Sequence, residues 1–180
     1  EEALRSAGDI LKLISDGRVD LPTVLNRLVE SGCRLCEADG ANIFQRDGGF
    51  FRVTASYGYS PQLTDFMMRQ RVTPARSSLS GRTVLERAVV HIPDVQADPE
   101  YDWSGPRQFN EYRAMLGIPL MREGEPIGVL AMTRNTPVAF TPDCVTLMAS
   151  VPSPAFTVVT VPAAVLVTVN VSSPVPPSTS

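Results

Sequence analysis

Lysine is almost missing from this 180-residue chain: fifteen of its 16 basic residues are arginine, and the one lysine, Lys12, stands near the start. Lysine-dependent chemistry is therefore excluded from the folded body. Histidine is nearly as scarce, with His91 alone. General acid–base work needs a partner and a cleft, and no Gly-x-Ser-x-Gly, His-Glu-x-x-His or Gly-x-x-x-x-Gly-Lys pattern supplies them. His91 is read as a structural strand residue. Basic charge is not in excess, with 16 basic against 19 acidic residues, which excludes the footprint of a dedicated nucleic-acid binder. Cysteines number three, Cys33, Cys36 and Cys144, too few and too odd for a disulfide framework. They are expected to be buried, unpaired apolar thiols in a reducing, cytoplasmic setting. A charged segment followed by an apolar core, as in a secretory signal, is also missing at the N-terminus.

The last absence divides the chain. No charged residue follows Asp143. Residues 151–180 form an uncharged Val/Pro/Ser/Thr tail, expected to be disordered or loosely β-associated and non-native, as from a truncated or frame-shifted end. Its apolar centre, Ala155–Val171, lies at the lower length limit for a membrane span. Interrupting Thr, Asn and Pro and the want of a basic flank make a membrane role unexpected.

The remainder alternates helical and strand patterns. Leu4, Ala7, Leu11 and Ile14 alternate spacings of three and four, which predicts a linker or signalling helix over residues 1–16. Asp20 as N-cap and Pro22 in the first turn open a second helix, with Leu21, Leu25, Leu28, Val29, Gly32, Leu35 and Cys36 on its apolar face. Ala41–Arg46 and Phe50–Tyr57 read as a hairpin across Asp47-Gly48-Gly49. Ser60-Pro61 opens a short helix, and another surrounds Gly81–Arg87. Val89–Ile92, Ala114–Arg122 and Pro126–Arg134 read as further strands, and Thr141-Pro142 starts a last helix. Hairpins without strict βαβ alternation predict an α+β domain on a mostly antiparallel sheet. The long segment Asp94–Arg113 carries Tyr101, Trp103, Phe109 and Tyr112, and a loop of that length suggests a lid over a small-molecule pocket. Its acidic residues Asp94, Asp98, Glu100 and Asp102 are read as a solvated rim, with no metal site expected.

These pieces carry a resemblance. Gly117-Ile-Pro-Leu-Met-Arg-Glu-Gly-Glu-Pro-Ile-Gly-Val-Leu130 is similar to the closing hairpin of GAF domains. Ser80-Gly81-Arg82, Val90-His-Ile-Pro-Asp-Val95 and Asp98-Pro-Glu-Tyr101 resemble the helix, strand and loop of GAF modules in bacterial sensor histidine kinases and nucleotide cyclases. Arg34–Asp39 and Ala55–Gly58 match the earlier helix end and strand, and residues 17–150 are assigned to the GAF unit. The resemblance implies about six antiparallel strands, helices on one face and a loop-covered pocket on the other. It implies a non-enzymatic sensor in a two-component or related bacterial pathway. Such a module would bind a small molecule, dimerise through flanking helices and relay to a kinase or cyclase output domain outside this chain. Phe44, Tyr57, Phe66, Leu79, Tyr101, Trp103 and Met115 are the expected pocket residues, and the ligand or cofactor is left unidentified. Two other readings stand beside it: a ligand-free dimerisation and relay module, and, more remotely, a thiol-based methionine sulfoxide reductase. The cysteines stand on or beside helices, whereas the reductases of this family use cysteines in the sheet and pocket loops.

Overall fold

The computed structural model describes residues 21–149 together with the short segments 159–161 and 164–166. The expected helix at residues 1–16 lies outside the described residues. α1 (Leu21–Leu35) begins with Pro22 in its first turn, where a missing N–H costs nothing. It ends before Glu37, whose φ of 49° is left-handed. Strands β1 (Gly40–Asp47) and β2 (Phe50–Tyr57) form the expected hairpin. α2 (Pro61–Met68) is capped by Ser60, whose hydroxyl accepts the Leu63 N–H. α3 (Leu79–Glu86) is capped by Ser78 and closed by left-handed Arg87. β3 (Val90–Ile92), β4 (Ala114–Arg122) and β5 (Glu125–Arg134) precede α4 (Pro142–Ala149). In the tail, β6 (Val159–Val161) and β7 (Ala164–Leu166) pair antiparallel, and the rest of 151–180 lies outside the described residues.

The main sheet is antiparallel throughout, in the order β2-β1-β5-β4-β3. It has five strands where about six were expected. The segment after α2 reaches the edge of β2 only through a bridge between Val72 and Phe51. Pro74 has no N–H to donate, and the polar run Thr73–Ser78 has no apolar alternation to bury, so no ladder continues.

Because strand side chains alternate, the sheet has two apolar faces. On one, Ala41, Ile43, Ala55, Leu116, Leu130 and Met132 pack with Leu25, Val29 and Cys33 of α1 and with Phe140 and Cys144. On the other, Phe44, Val53, Met115 and Val129 pack with Leu63 and Met67 of α2, Leu79 and Val84 of α3, and Tyr101 and Tyr112. Two short helices thus join the long loop on the face where loops alone were expected. α3 approaches β4 closely: a Cβ on Gly117 would lie 2.2 Å from the buried Thr83 Oγ1, which donates to the Leu79 carbonyl.

The expectation of three unpaired thiols holds only for Cys33, which is buried and donates to the Ala38 carbonyl. Cys36 and Cys144 form a disulfide across a sequence separation of 108, with Cα atoms 5.5 Å apart. Their nearness follows from α1 and α4 sharing a sheet face, which no local spacing encodes. His91 also faces this side. Its Nε2 accepts the Phe140 N–H at 3.1 Å, and burial, with Arg134 nearby, lowers its pKa from 6.5.

Gly117→Ala is expected to cost about 1–3 kcal/mol by overpacking, measured by chemical denaturation, with part of the loss recovered when Thr83→Ala is added. His91 is neutral when folded, so its contribution is complete above the unfolded pKa near 6.5 and is lost as pH falls through the folded value. His91→Gln, which keeps an acceptor without titrating, should flatten the fall in melting temperature between pH 7 and 5. An unchanged slope would exclude this role.

Candidate ligand pocket

Between the sheet and the long loop lies a small cavity of about 20 Å³, room for one water molecule. The sheet contributes Asn42 and Phe44 from β1, Met115 from β4, and Ala131 and Thr133 from β5. Met67 of α2 and Leu79 and Ser80 of α3 form the sides. Tyr59, Tyr101, Trp103, Pro106 and Tyr112 close the remainder. No charged side chain is among them.

Tyr59 reaches the cavity because the chain reverses at Gly58, whose φ is +80° and whose Cβ position would fall 2.2 Å from the Asp39 carbonyl. The Tyr59 hydroxyl and Thr133 Oγ1 are hydrogen-bonded at 2.9 Å. Burial raises the pKa of Tyr59, Tyr101 and Tyr112, so all three phenols are neutral. Two polar atoms on this wall are conspicuous. Asn42 Oδ1 and the Tyr101 hydroxyl are buried and, among the described residues, have no hydrogen-bond partner. Leaving such groups unpaired costs roughly 1–3 kcal/mol each.

The loop is fastened by ion pairs. Arg82, itself buried, donates to both oxygens of Asp98 at 2.7 and 3.2 Å and to the Arg76 carbonyl. Asp98 Oδ1 also accepts the N–H groups of Glu100 and Tyr101, turning Tyr101 inward. Arg113 grips Asp94 at 3.0 and 2.6 Å and holds its carboxyl down at about 2. Arg76 bridges Glu100 and Glu86 at the surface. The solvated-rim expectation is thereby corrected for Asp94 and Asp98, each an anchor whose pKa an arginine lowers, whereas Glu100 is exposed as expected. Among the described residues no group of acidic, His or Cys side chains is arranged to hold a metal.

Of the expected pocket residues, Phe44, Leu79, Tyr101, Trp103 and Met115 line the cavity. Tyr57 and Phe66 do not. In the β1–β2 ladder Phe44 pairs with Val53 and Ile43 with Ala55, so Thr54 is an extra residue in β2. That bulge reverses the alternation: Phe51 and Val53 face the cavity side, while Ala55 and Tyr57 face α1. Phe66 lies one position from Met67 on α2 and instead packs on Phe109, ring centroids 5.2 Å apart. Asn42, Tyr59, Met67, Ser80, Pro106, Tyr112, Ala131 and Thr133 were missed. The period of two from Phe44 would have indicated Asn42, and the same period along β5 pairs Ala131 with Thr133.

Comparison with known proteins gives a consistent picture. The family model for the GAF domain matches residues 20–152. Among curated proteins none matches. A solved GAF domain from a phosphoenolpyruvate-protein phosphotransferase of Coxiella burnetii is similar at 19% identity and a TM-score of 0.61, covering 82% of this chain and 90% of that one. A GAF domain/HD domain protein from Geobacter sulfurreducens is similar at 16% identity and a TM-score of 0.61, covering 72% and 85%. A type II free methionine-R-sulfoxide reductase from Thermoplasma acidophilum is similar at 19% identity and a TM-score of 0.57, covering 73% and 89%. At these identities the likeness is one of fold.

The loop anchors are unequal, and the difference is measurable. Asp98→Ala strands the buried Arg82 guanidinium and is expected to destabilise by about 3 kcal/mol, with a red shift of Trp103 emission. Glu100→Gln, at an exposed pair, should leave the unfolding midpoint within error. An Asp98→Ala midpoint as little changed as that of Glu100→Gln would mean that Asp98 does not hold the loop.

Proposed function

This chain is a member of the GAF domain family, and on that premise we propose that it is a regulatory sensor of a bacterial signalling protein, taking a small uncharged molecule into the cavity beneath residues 94–113. The carrying observation is the pair of buried, unpartnered polar atoms, Asn42 Oδ1 and the Tyr101 hydroxyl, on a wall with no charged side chain. Asn42 Oδ1 accepts from an N–H or O–H of the ligand, and the phenol donates or accepts. A carboxylate or phosphate would be stripped of water there with no cation to pair it. Because the present volume suits one water, a larger ligand enters with outward movement of the loop carrying Tyr101 and Trp103.

The output reading follows from the fold class. GAF domains commonly stand beside kinase or other output domains, so the flanking helices are the proposed route to an output domain outside this chain, and the proposed homodimer contact. Among the described residues no helix is long and apolar enough to cross a membrane, and we assign the module to the cytoplasm. A second reading, a ligand-free relay module, is favoured by the small free volume. The reductase reading is weaker, since none of the cavity-lining residues is a cysteine.

Native mass spectrometry of the chain purified without added ligand tests the sensor reading. Extra mass lost on denaturation is expected, and Asn42→Leu with Tyr101→Phe should abolish it. Trp103, the only tryptophan, reports the same event through its emission. A bare wild-type protein, together with a double variant stabilised by about 1–2 kcal/mol, would instead establish the relay reading.

A further inference from the structure

The cavity uses no cysteine, yet two cysteines meet on the opposite face of the sheet. Cys36 follows the last turn of α1, and Cys144 lies in the first turn of α4. Beside them is a second, non-covalent tie. Arg134, at the end of β5 and buried, donates from Nη2 to the Cys36 carbonyl at 2.6 Å and from Nε to the Glu37 carbonyl at 3.1 Å. Its Nη1 donates to the carbonyls of Val138 and Ala139 at 3.1 and 3.0 Å, and its guanidinium lies 4.5 Å from the centre of the Phe140 ring. The Phe140 N–H is in turn held by His91. One guanidinium therefore grips both cysteine-bearing segments without using either sulfur.

From this double fastening we propose that Cys36 and Cys144 form a reversible thiol–disulfide site that fastens or releases the last helix in response to a small-molecule thiol/disulfide couple. When the bond is reduced, Arg134 and His91 still hold residues 36–37 and 138–140, so the thiols stay close and re-form the bond as a local event. α4 beyond Thr141 loses its covalent hold. The cavity lies on the other face of the sheet, and the strand ladders are made without the disulfide, so the site works whether or not the cavity takes a ligand.

A small thiolate attacks Cys144 Sγ, the protein S–S bond breaks, and Cys36 leaves as a thiolate that takes a proton. A second small thiolate displaces Cys144 from the mixed disulfide. Two small thiols thus give two protein thiols and one small disulfide, with two electrons and two protons passed to the protein. Oxidation is the same sequence reversed. Both sulfurs are buried, at 2% and 6% residue exposure, so attack follows a local lifting of the first turn of α4, flanked by exposed Pro142 and Asp143. Cys33 does not enter the exchange, because burial and the charge of Asp39 push its thiol up to about 11 and keep it protonated.

The test equilibrates the full native chain in glutathione buffers of graded ratio, traps thiols with N-ethylmaleimide and weighs the product. Two labels, on Cys36 and Cys144, are expected in the reduced state, with full return to the unlabelled form after reoxidation. Amide exchange over residues 142–149 should rise on the order of tenfold or more on reduction, while β1 and β5 keep their protection. A pair that yields only in denaturant, an unchanged α4, or loss of protection across the whole sheet would each overturn the proposal. Arg134→Gln should slow reoxidation on the order of tenfold, and an unchanged rate would overturn the role of Arg134 in holding the thiols together. If that variant does not fold, wild-type labelling and exchange decide alone.

Discussion

The guanidinium of Arg134 is the point on which the two ends of the domain converge. Its position at the end of β5 lets a rigid, planar group with five N–H donors satisfy carbonyls at the exit of α1 and at the approach to α4. A lysine at this position would offer one ammonium and no fork. The carbonyls at 36, 37, 138 and 139 belong to irregular backbone, which a sheet-packed domain must satisfy somewhere if they are withdrawn from water. The disulfide and the His91–Phe140 bond are arranged around that hub. A chain with almost no lysine has thus used arginine where geometry, rather than charge alone, is required.

The other face works on the same principle with different partners. Arg82 and Arg113 each close a fork on an aspartate, and between them they fix the stretch of loop that brings Tyr101, Trp103 and Tyr112 over the sheet. The loop is therefore held at its polar ends and packed at its aromatic middle. Its cover can be displaced without disturbing the strands beneath, since the sheet residues of the cavity are fixed by their own ladders.

Most of this architecture was legible from local pattern. The apolar stripe of α1, the Ser60-Pro61 opening of α2 and the turn residues at Gly48 each declare an element within a few residues. Facing is less local. Tyr57 would share the face of Val53 in a regular strand, and only the unannounced extra residue at Thr54 sends it to α1. Phe66 and Met67 differ by one helical step, and hydrophobicity alone gives no reason to prefer the methionine for the cavity. The Cys36–Cys144 pairing is further from view, because it depends on two helices meeting on a sheet face after the whole fold has formed. Asp94 and Asp98 looked solvated because their arginine partners come from the far end of the loop and from α3.

The ends of the sheet have a consequence for association between molecules. A bare edge strand is a template for another chain's backbone. Here β3 is three residues long and is stopped at once by Pro93, while the β2 edge is occupied at Phe51 by the reciprocal pair of bonds with Val72, just before Pro74. Among the described residues, the rest of the β2 edge and the β4 edge beyond Gly117 have no strand partner. Strand addition by another chain is therefore blunted at β3 and at Phe51, and not along the remainder of either margin.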